Sequence, residues 1–233
     1  MRTIGMIGGM SWESTATYYR IVNQETHRRL GGQHNAHSLV YTVDFADIEA
    51  HQAQGRWNEA GELLAGAARA LAGAGAEILI LCSNTMHKVA AAIVAAAPAA
   101  QFIHIADPTA EDIGRQGIAT VALLGTRYTM EEEFYRGRLE GLGLSVLIPD
   151  AAERAALHRI IYEELCHGMV ADASRAMCRN IVRSLERRGA GGVVLGCTEI
   201  GMILEQRDAD VPLFDTTYLH ALAAVRAALR PAP

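Results

Sequence analysis

Short apolar runs alternate with longer stretches of helical periodicity along the whole chain. The runs are Thr3–Ile7, Ser38–Asp44, Ile78–Leu81, Phe102–Ala106, Thr120–Gly125, Leu144–Ile148, Gly192–Leu195 and Val211–Phe214. Most are continuous rather than alternating in polarity, which predicts strands covered on both faces, as in a parallel sheet. Between them, Glu13–Leu30, Trp57–Ala74, Met86–Ala97, Thr109–Gln116, Ala155–Cys166, Ala171–Arg188 and Thr217–Leu229 read as helices. In the second of these, Leu63, Leu64, Ala67, Ala68 and Leu71 share one face. Glu131, Glu132 and Glu133 open a further helix, where acids suit the positive end of the helix dipole.

Two runs stop in the same way. Ile78–Leu81 breaks into Cys82, Ser83, Asn84 and Thr85, and Val193–Leu195 breaks into Gly196, Cys197, Thr198 and Glu199. A buried strand ending in small polar residues places side chains and backbone N–H groups at the carboxyl edge of a sheet, where α/β proteins bind ligands. The interval from Gly8 to Ser83 nearly equals that from Gly125 to Cys197, so the order of elements occurs twice. The expected fold is α/β, with two pseudo-symmetric domains, each a parallel sheet flanked by helices. The expected division is 1–108 plus 210–233 and 109–209. Halves facing each other would bring Ser83 and Cys197 to opposite walls of one cleft, the expected active site.

Composition narrows the partners. The chain has 233 residues, half of them hydrophobic, and a net charge of −5 with no basic cluster, which argues against nucleic acid. The N-terminal MRTIGMIGGM reads as a first strand rather than a signal peptide. The longest apolar run, Val89–Ala100, is too short to span a membrane and contains Pro98. A cytoplasmic protein is expected, with Cys82, Cys166, Cys178 and Cys197 as free thiols. Cys166 and Cys178 read as small core residues. His34 and His37 read as solvated loop residues with nothing nearby to complete a metal site. Lys88 is the sole lysine, and its surroundings do not resemble a pyridoxal-phosphate site. Gly8-Gly9 followed by Met10 and Ser11 predicts a tight strand-to-helix turn with Ser11 as N-cap. The spacing is not that of a dinucleotide fingerprint.

Stereoinversion at an acidic carbon needs two acid–base groups on opposite faces. One removes the α-proton and the other returns a proton. A thiol serves if its pKa is lowered, and Cys197 is expected just before a helix start, where lowering would follow. Backbone N–H groups around Asn84, Thr85, Thr198 and Glu199 would hold the substrate carboxylate as negative charge builds on it.

Taken together, GMIGGMSWEST, LCSNTMH, VALLGTRYTM, IIYEELCHGM and GCTEIG resemble the aspartate/glutamate racemase family of PLP-independent amino-acid racemases, in order from Thr3 to about His220. The resemblance implies two pseudo-symmetric α/β domains, a homodimer, a small amino-acid substrate and no cofactor. It also implies two catalytic cysteines, one before Asn-Thr in the first half and one before Thr-Glu in the second. Cys197 matches the second. At the first, this chain has Ser83, and Cys82 lies one residue early, on the opposite face of an extended segment.

The resulting expectation is an asymmetric enzyme. Cys197 deprotonates the L enantiomer, Ser83 reprotonates, and the reaction from the D side is slow. Met10, Ser11, Gln52, Asn84, Thr85, Thr126, Thr198 and Glu199 join Ser83 and Cys197 as substrate-binding candidates. His87 lies near enough to Ser83 to support it from behind. Arg56, Arg127 and Arg136 are alternatives for binding a side-chain carboxylate. Two rival readings stand beside racemisation. One is a decarboxylase or isomerase of the same superfamily, which needs one thiol only. The other is an amino-acid-binding protein weakened in catalysis by Ser83.

Overall fold

A computed structural model describes residues 1–230. The chain divides into two compact units. Among the described residues, one comprises Met1–Ile105 together with 220–230, and the other is Ala106–Leu219.

The first unit holds a four-stranded parallel sheet of β1 (Ile4–Gly8), β2 (Ser38–Thr42), β3 (Ile78–Leu81) and β4 (Gln101–Phe102), in the order β2-β1-β3-β4. The crossovers are α1 (Trp12–Leu30), α2 (Phe45–Ala53), α3 (Trp57–Gly73) and α4 (Ala90–Ala96). The continuous apolar runs have their explanation in two separate cores. Ile7, Leu79 and Leu81 pack with Leu64, Ala68 and Leu71 of α3 and Ile93 of α4. Ile4, Met6, Ile78, Ile80 and Cys82 pack with Tyr18, Ile21 and Val22 of α1 and with Ala221, Ala224 and Val225. Those last three lie on α10 (Thr216–Leu229). Each central strand thus buries both of its faces, in keeping with its sequence.

The second unit repeats the plan. Its strands β5 (Thr120–Gly125), β6 (Ser145–Leu147), β7 (Val193–Gly196) and β8 (Leu213–Asp215) are parallel in the order β6-β5-β7-β8. Its helices are α5 (Ala106–Arg115), α6 (Arg127–Glu131), α7 (Glu133–Gly141), α8 (Ala151–Glu163) and α9 (Asp172–Arg187). Ala122, Leu124, Val193, Leu195 and Cys197 face Leu157, Ile160 and Ile161 of α8 and Ile181, Val182 and Leu185 of α9. Asp150 starts α8 with a reciprocal capping box to Glu153, which begins the helix four residues before the position read from periodicity.

Several local expectations are corrected. The divisions fall after Ile105 and Leu219, not after 108 and 209. Residues 210–219 stay with the second unit because β8 pairs with β7, and Thr216 Oγ1 donates to Leu195 O at 2.8 Å. The Phe102–Ala106 strand is only Gln101–Phe102, and Ala106 already opens α5, with Pro108 tolerated in its first turn. Met86–Ala97 is not one helix. A 3₁₀ turn over Thr85–Val89 precedes α4. The acid-rich helix breaks at Glu132, which is extended and divides α6 from α7.

Candidate active site

In the first unit, β1 and β3 are adjacent and parallel, so their following turns lie side by side. Gly8 and Gly9 are forced by close approach. A Cβ on Gly8 would meet Thr15 Cγ2 at 2.4 Å, and one on Gly9, at φ +101°, would meet Val43 O at 2.2 Å. Gly9 N–H donates to Thr15 Oγ1 at 2.8 Å, and that hydroxyl donates to Ser11 O at 2.9 Å. This turn is therefore locked onto α1 and does not offer the Gly9 amide to a phosphate. Ser11 caps α1, accepting from Ser14 N–H at 3.3 Å, and Ser14 Oγ donates to Cys82 O at 3.3 Å, joining the two turns. Met10, Ser11, Ser83, Asn84 and Thr85 are all buried here. Gln52, on α2, joins them by donating Nε2–H to Met86 Sδ at 2.9 Å.

The sheet registers identify the equivalent positions of the two units. Leu81 lies opposite Ile7, and Cys82 N–H donates to Ile7 O, so Cys82 continues β3 opposite the end of β1. In the second unit, Gly196 lies opposite Gly125 at the ends of β7 and β5. Cys82 thus corresponds to Gly196, and Ser83 to Cys197. The Cys82 side chain belongs to the α1-side core, and burial pushes its thiol far up from the ordinary range. Ser83 Oγ accepts from Met86 N–H at 3.4 Å. Ser83 O is bound by His87 Nδ1 at 2.7 Å, and His87 Nε2 accepts from Ile105 N–H at 3.2 Å.

In the second unit, the ends of β5 and β7 bring Thr126 and Cys197–Glu199 to one edge. The two strand-end glycines allow this closeness, because a Cβ on Gly196 would meet Leu124 O at 2.9 Å and one on Gly125 would meet Gly196 O at 2.8 Å. Thr126 caps α6, accepting from Thr129 N–H at 3.3 Å. Cys197 is buried, and its Sγ–H donates to Glu199 Oε2 at 3.0 Å. Thr198 Oγ1 donates to the same carboxylate oxygen. The expected helix start is a three-residue 3₁₀ turn, Ile200–Met202, too short to carry a macrodipole. The thiol is held well above its ordinary range, first by burial and then by the negative charge of Glu199, with Cys166 nearby. The expected lowering is thus reversed. The resting group is a neutral thiol whose hydrogen bond already points at a carboxylate.

Sequence reasoning passed over two features of this unit. Cys166, read as a core residue of a helix, stands in a 3₁₀ turn, Leu165–His167, and is only partly buried against the cluster containing Cys197. His158 accepts from Arg127 N–H at 3.3 Å, and burial together with Arg127 lowers its pKa. Cys166 lies within the IIYEELCHGM stretch, but its place beside the Cys197 cluster shows only in the fold, and His158 belongs to no local motif. Of the three arginines, Arg136 is engaged by Glu133, the Arg127 guanidinium stands 5.7 Å from the Tyr128 ring centroid, and Arg56 is exposed ahead of α3. Among the described residues, no group of three or more His, Cys, Asp or Glu is arranged to hold a metal ion, and no helix is long and apolar enough to cross a membrane.

Residues 7–224 match the Asp/Glu/Hydantoin racemase family. The chain belongs to that family. A candidate Asp/Glu racemase from Yersinia pestis is 52% identical, with a TM-score of 0.92 over 99% of this chain and 100% of that one. An aspartate racemase homologue from Pyrococcus horikoshii is 34% identical, with a TM-score of 0.83 over 99% and 100%. The aspartate racemase of Picrophilus torridus, 19% identical over 100% and 96% with a TM-score of 0.79, shares the fold. Racemase membership fits the two four-stranded parallel sheets flanked by helices and supports an amino-acid racemase among the isomerases.

Proposed function

We propose that this racemase-family protein inverts amino acids without a cofactor, with Cys197 and Ser83 serving opposite faces of one α-carbon. The observation that carries the reading is the buried Cys197 thiol donating to Glu199 Oε2 at 3.0 Å. A thiol held protonated keeps a proton to return to a strongly basic carbanion, but it takes none up by itself. Glu199 supplies the missing step. Its carboxylate takes the thiol proton, the thiolate takes the α-proton of the L substrate, and the C–H electron pair moves into the substrate carboxylate as an enediolate. Backbone N–H groups of the two strand-end turns suit that developing charge. Ser83 delivers a proton to the other face and regains one from water. From the D side, Ser83 would have to act as base, and an alkoxide is far harder to form than a thiolate, so that direction is slow. Met10, Ser11, Gln52, Asn84, Thr85, Thr126 and Thr198 complete the proposed substrate-binding set. Family resemblance supports a homodimer, and the reading of the chain's composition and apolar runs supports a cytoplasmic setting.

The test is solvent deuterium incorporation at Cα, followed by NMR across L and D amino acids, including aspartate and glutamate. Exchange that is faster from the L enantiomer supports the proposal, and binding with no exchange from either enantiomer overturns it. The protonated state of Cys197 also suits a second reading, in which a single proton is delivered to the enediolate left by malonate decarboxylation. Carbon dioxide release from an aryl malonate, without amino-acid exchange, would establish that reading instead.

A further inference from the structure

Behind Ser83 lies a group of three buried imidazoles. The ring of His87 stands 4.4 Å from that of His104 and 5.8 Å from that of His220, centroid to centroid. Two of them have their tautomers fixed by their partners. Ile105 N–H can only donate, so His87 Nε2 accepts, and the ring proton sits on Nδ1 and is donated to Ser83 O. Ile103 O can only accept, so His220 Nε2 carries a proton, and its Nδ1 accepts from Tyr18 OH at 2.8 Å. The two rings differ in how they tolerate a second proton. A phenol hydroxyl can reverse and accept, so His220 can become imidazolium with both hydrogen bonds intact. A backbone N–H cannot reverse. A second proton on His87 would set two donors against each other and break the link to Ile105.

We propose that His87 is a positioning residue for Ser83, acting as a proton-sensitive lock on the turn after β3. In its neutral form it ties Ser83 O to the chain following β4 and so fixes the direction of the Ser83 hydroxyl. Protonation releases the Ile105 side, and Ser83 loses its aim while Cys197, on the other unit's turn, keeps its own. The groups packed around this ring are Phe102 and His104 from β4 and the segment after it, and His220 from α10 with Tyr18 of α1 behind it, while the adjacent Lys88 carries its Nζ 3.8 Å over the Trp57 ring. The inference deepens the racemase reading and rests on it for its catalytic half.

The experiment compares wild type, His87→Ala and His87→Asn by α-proton exchange from L and D substrate across pH, with circular dichroism to confirm folding. The asparagine amide can replace the Nδ1–H donor but does not titrate. His87→Ala should depress D-side exchange on the order of 10²-fold through loss of alignment, with a much smaller change from the L side. His87→Asn should restore most of the loss near neutral pH and remove the acid limb from the D-side profile. Equal losses in both directions, or an acid limb that persists in His87→Asn, would overturn the lock. Imidazole ¹⁵N NMR of the wild type tests the geometry without activity. It should find His87 protonated at Nδ1 alone at neutral pH, and an Nε2–H tautomer would refute the proposal. If the wild type exchanges neither enantiomer, the racemase reading fails, and the tautomer measurement alone decides the lock.

Discussion

Ser83 and Cys197 stand at the same place in two copies of one sheet plan, each one residue past the strand position held by Cys82 in one unit and Gly196 in the other. Their surroundings differ. Cys197 completes the row Val193–Leu195–Cys197 facing α8 and α9, and its thiol leans on a carboxylate two residues ahead. Ser83 has a backbone N–H at its hydroxyl and an imidazole at its carbonyl, and among the described residues no carboxylate of its unit bonds to its Oγ. The first unit does contain a thiol at this edge, but Cys82 is turned into the α1 core. The contrast teaches that a fold repeat conserves backbone positions without conserving acid–base power. A thiol with a carboxylate can cycle between acid and base, whereas a hydroxyl held by its backbone can mainly donate.

The first way to break this comparison is to remove the carboxylate. Glu199→Gln keeps the side-chain shape but cannot take the thiol proton. L-side exchange should fall roughly 10²- to 10⁴-fold, the range of a lost general base. In the wild type, the thiol is held well above its ordinary pKa by burial and by Glu199, so its thiolate fraction rises throughout the neutral and mildly alkaline range. Without the Glu199 relay, L-side exchange in the variant should therefore climb about tenfold per pH unit over that range. A pH-independent variant rate would show that the thiolate is not the base.

The next largest effect is expected from Ser83→Cys, which gives both turns a thiol. D-side exchange should rise at least about tenfold, since a thiol ionises far more readily than a hydroxyl. An unchanged D-side rate would count against Ser83 as the second group. The smallest effect is expected from Cys82→Ala. A buried thiol behaves as a small hydrophobe, so the variant should lose about 1 kcal/mol of stability in denaturant unfolding and keep both exchange rates. Loss of exchange with intact folding would show that Cys82, not Ser83, faces the substrate. Stability also has a predictable pH edge. Cys82, Cys178 (pushed up to about 12) and Cys197 all have raised pKa values in the folded chain, so the folded state holds protons that the unfolded state releases. The stability they contribute is complete below the ordinary thiol range and declines as pH rises above it. Thermal unfolding between neutral pH and pH of about 10 measures the decline.

Much of this was legible in the sequence because burial on both faces leaves a strong signature. The apolar runs at Ile78–Leu81 and Thr120–Gly125 became central strands, and the abrupt polar ends of Leu81 and Gly196 became adjoining turns within each unit. The opposite-face argument that separated Cys82 from Ser83 relies only on strand alternation, and Cys82 does pack in the core shared with α1. What the sequence hid depends on longer range. Nothing near Ala106 says that a helix begins before Asp107-Pro108, and nothing at Val211–Phe214 says which sheet it joins. The direction of the Cys197 shift was misread because the turn after it is only three residues long and because Glu199 folds back onto the sulfur. The meeting of His87, His104 and His220 requires β4 and α10 to be in place, so no local motif announces it.

The central claim is that the Cys197 thiol, relayed by Glu199, removes the α-proton of the L enantiomer. Its most direct test is deuterium exchange at Cα of an L amino acid by folded Cys197→Ser protein in D₂O. The account predicts that exchange is abolished, while exchange that continues at the wild-type rate would contradict it.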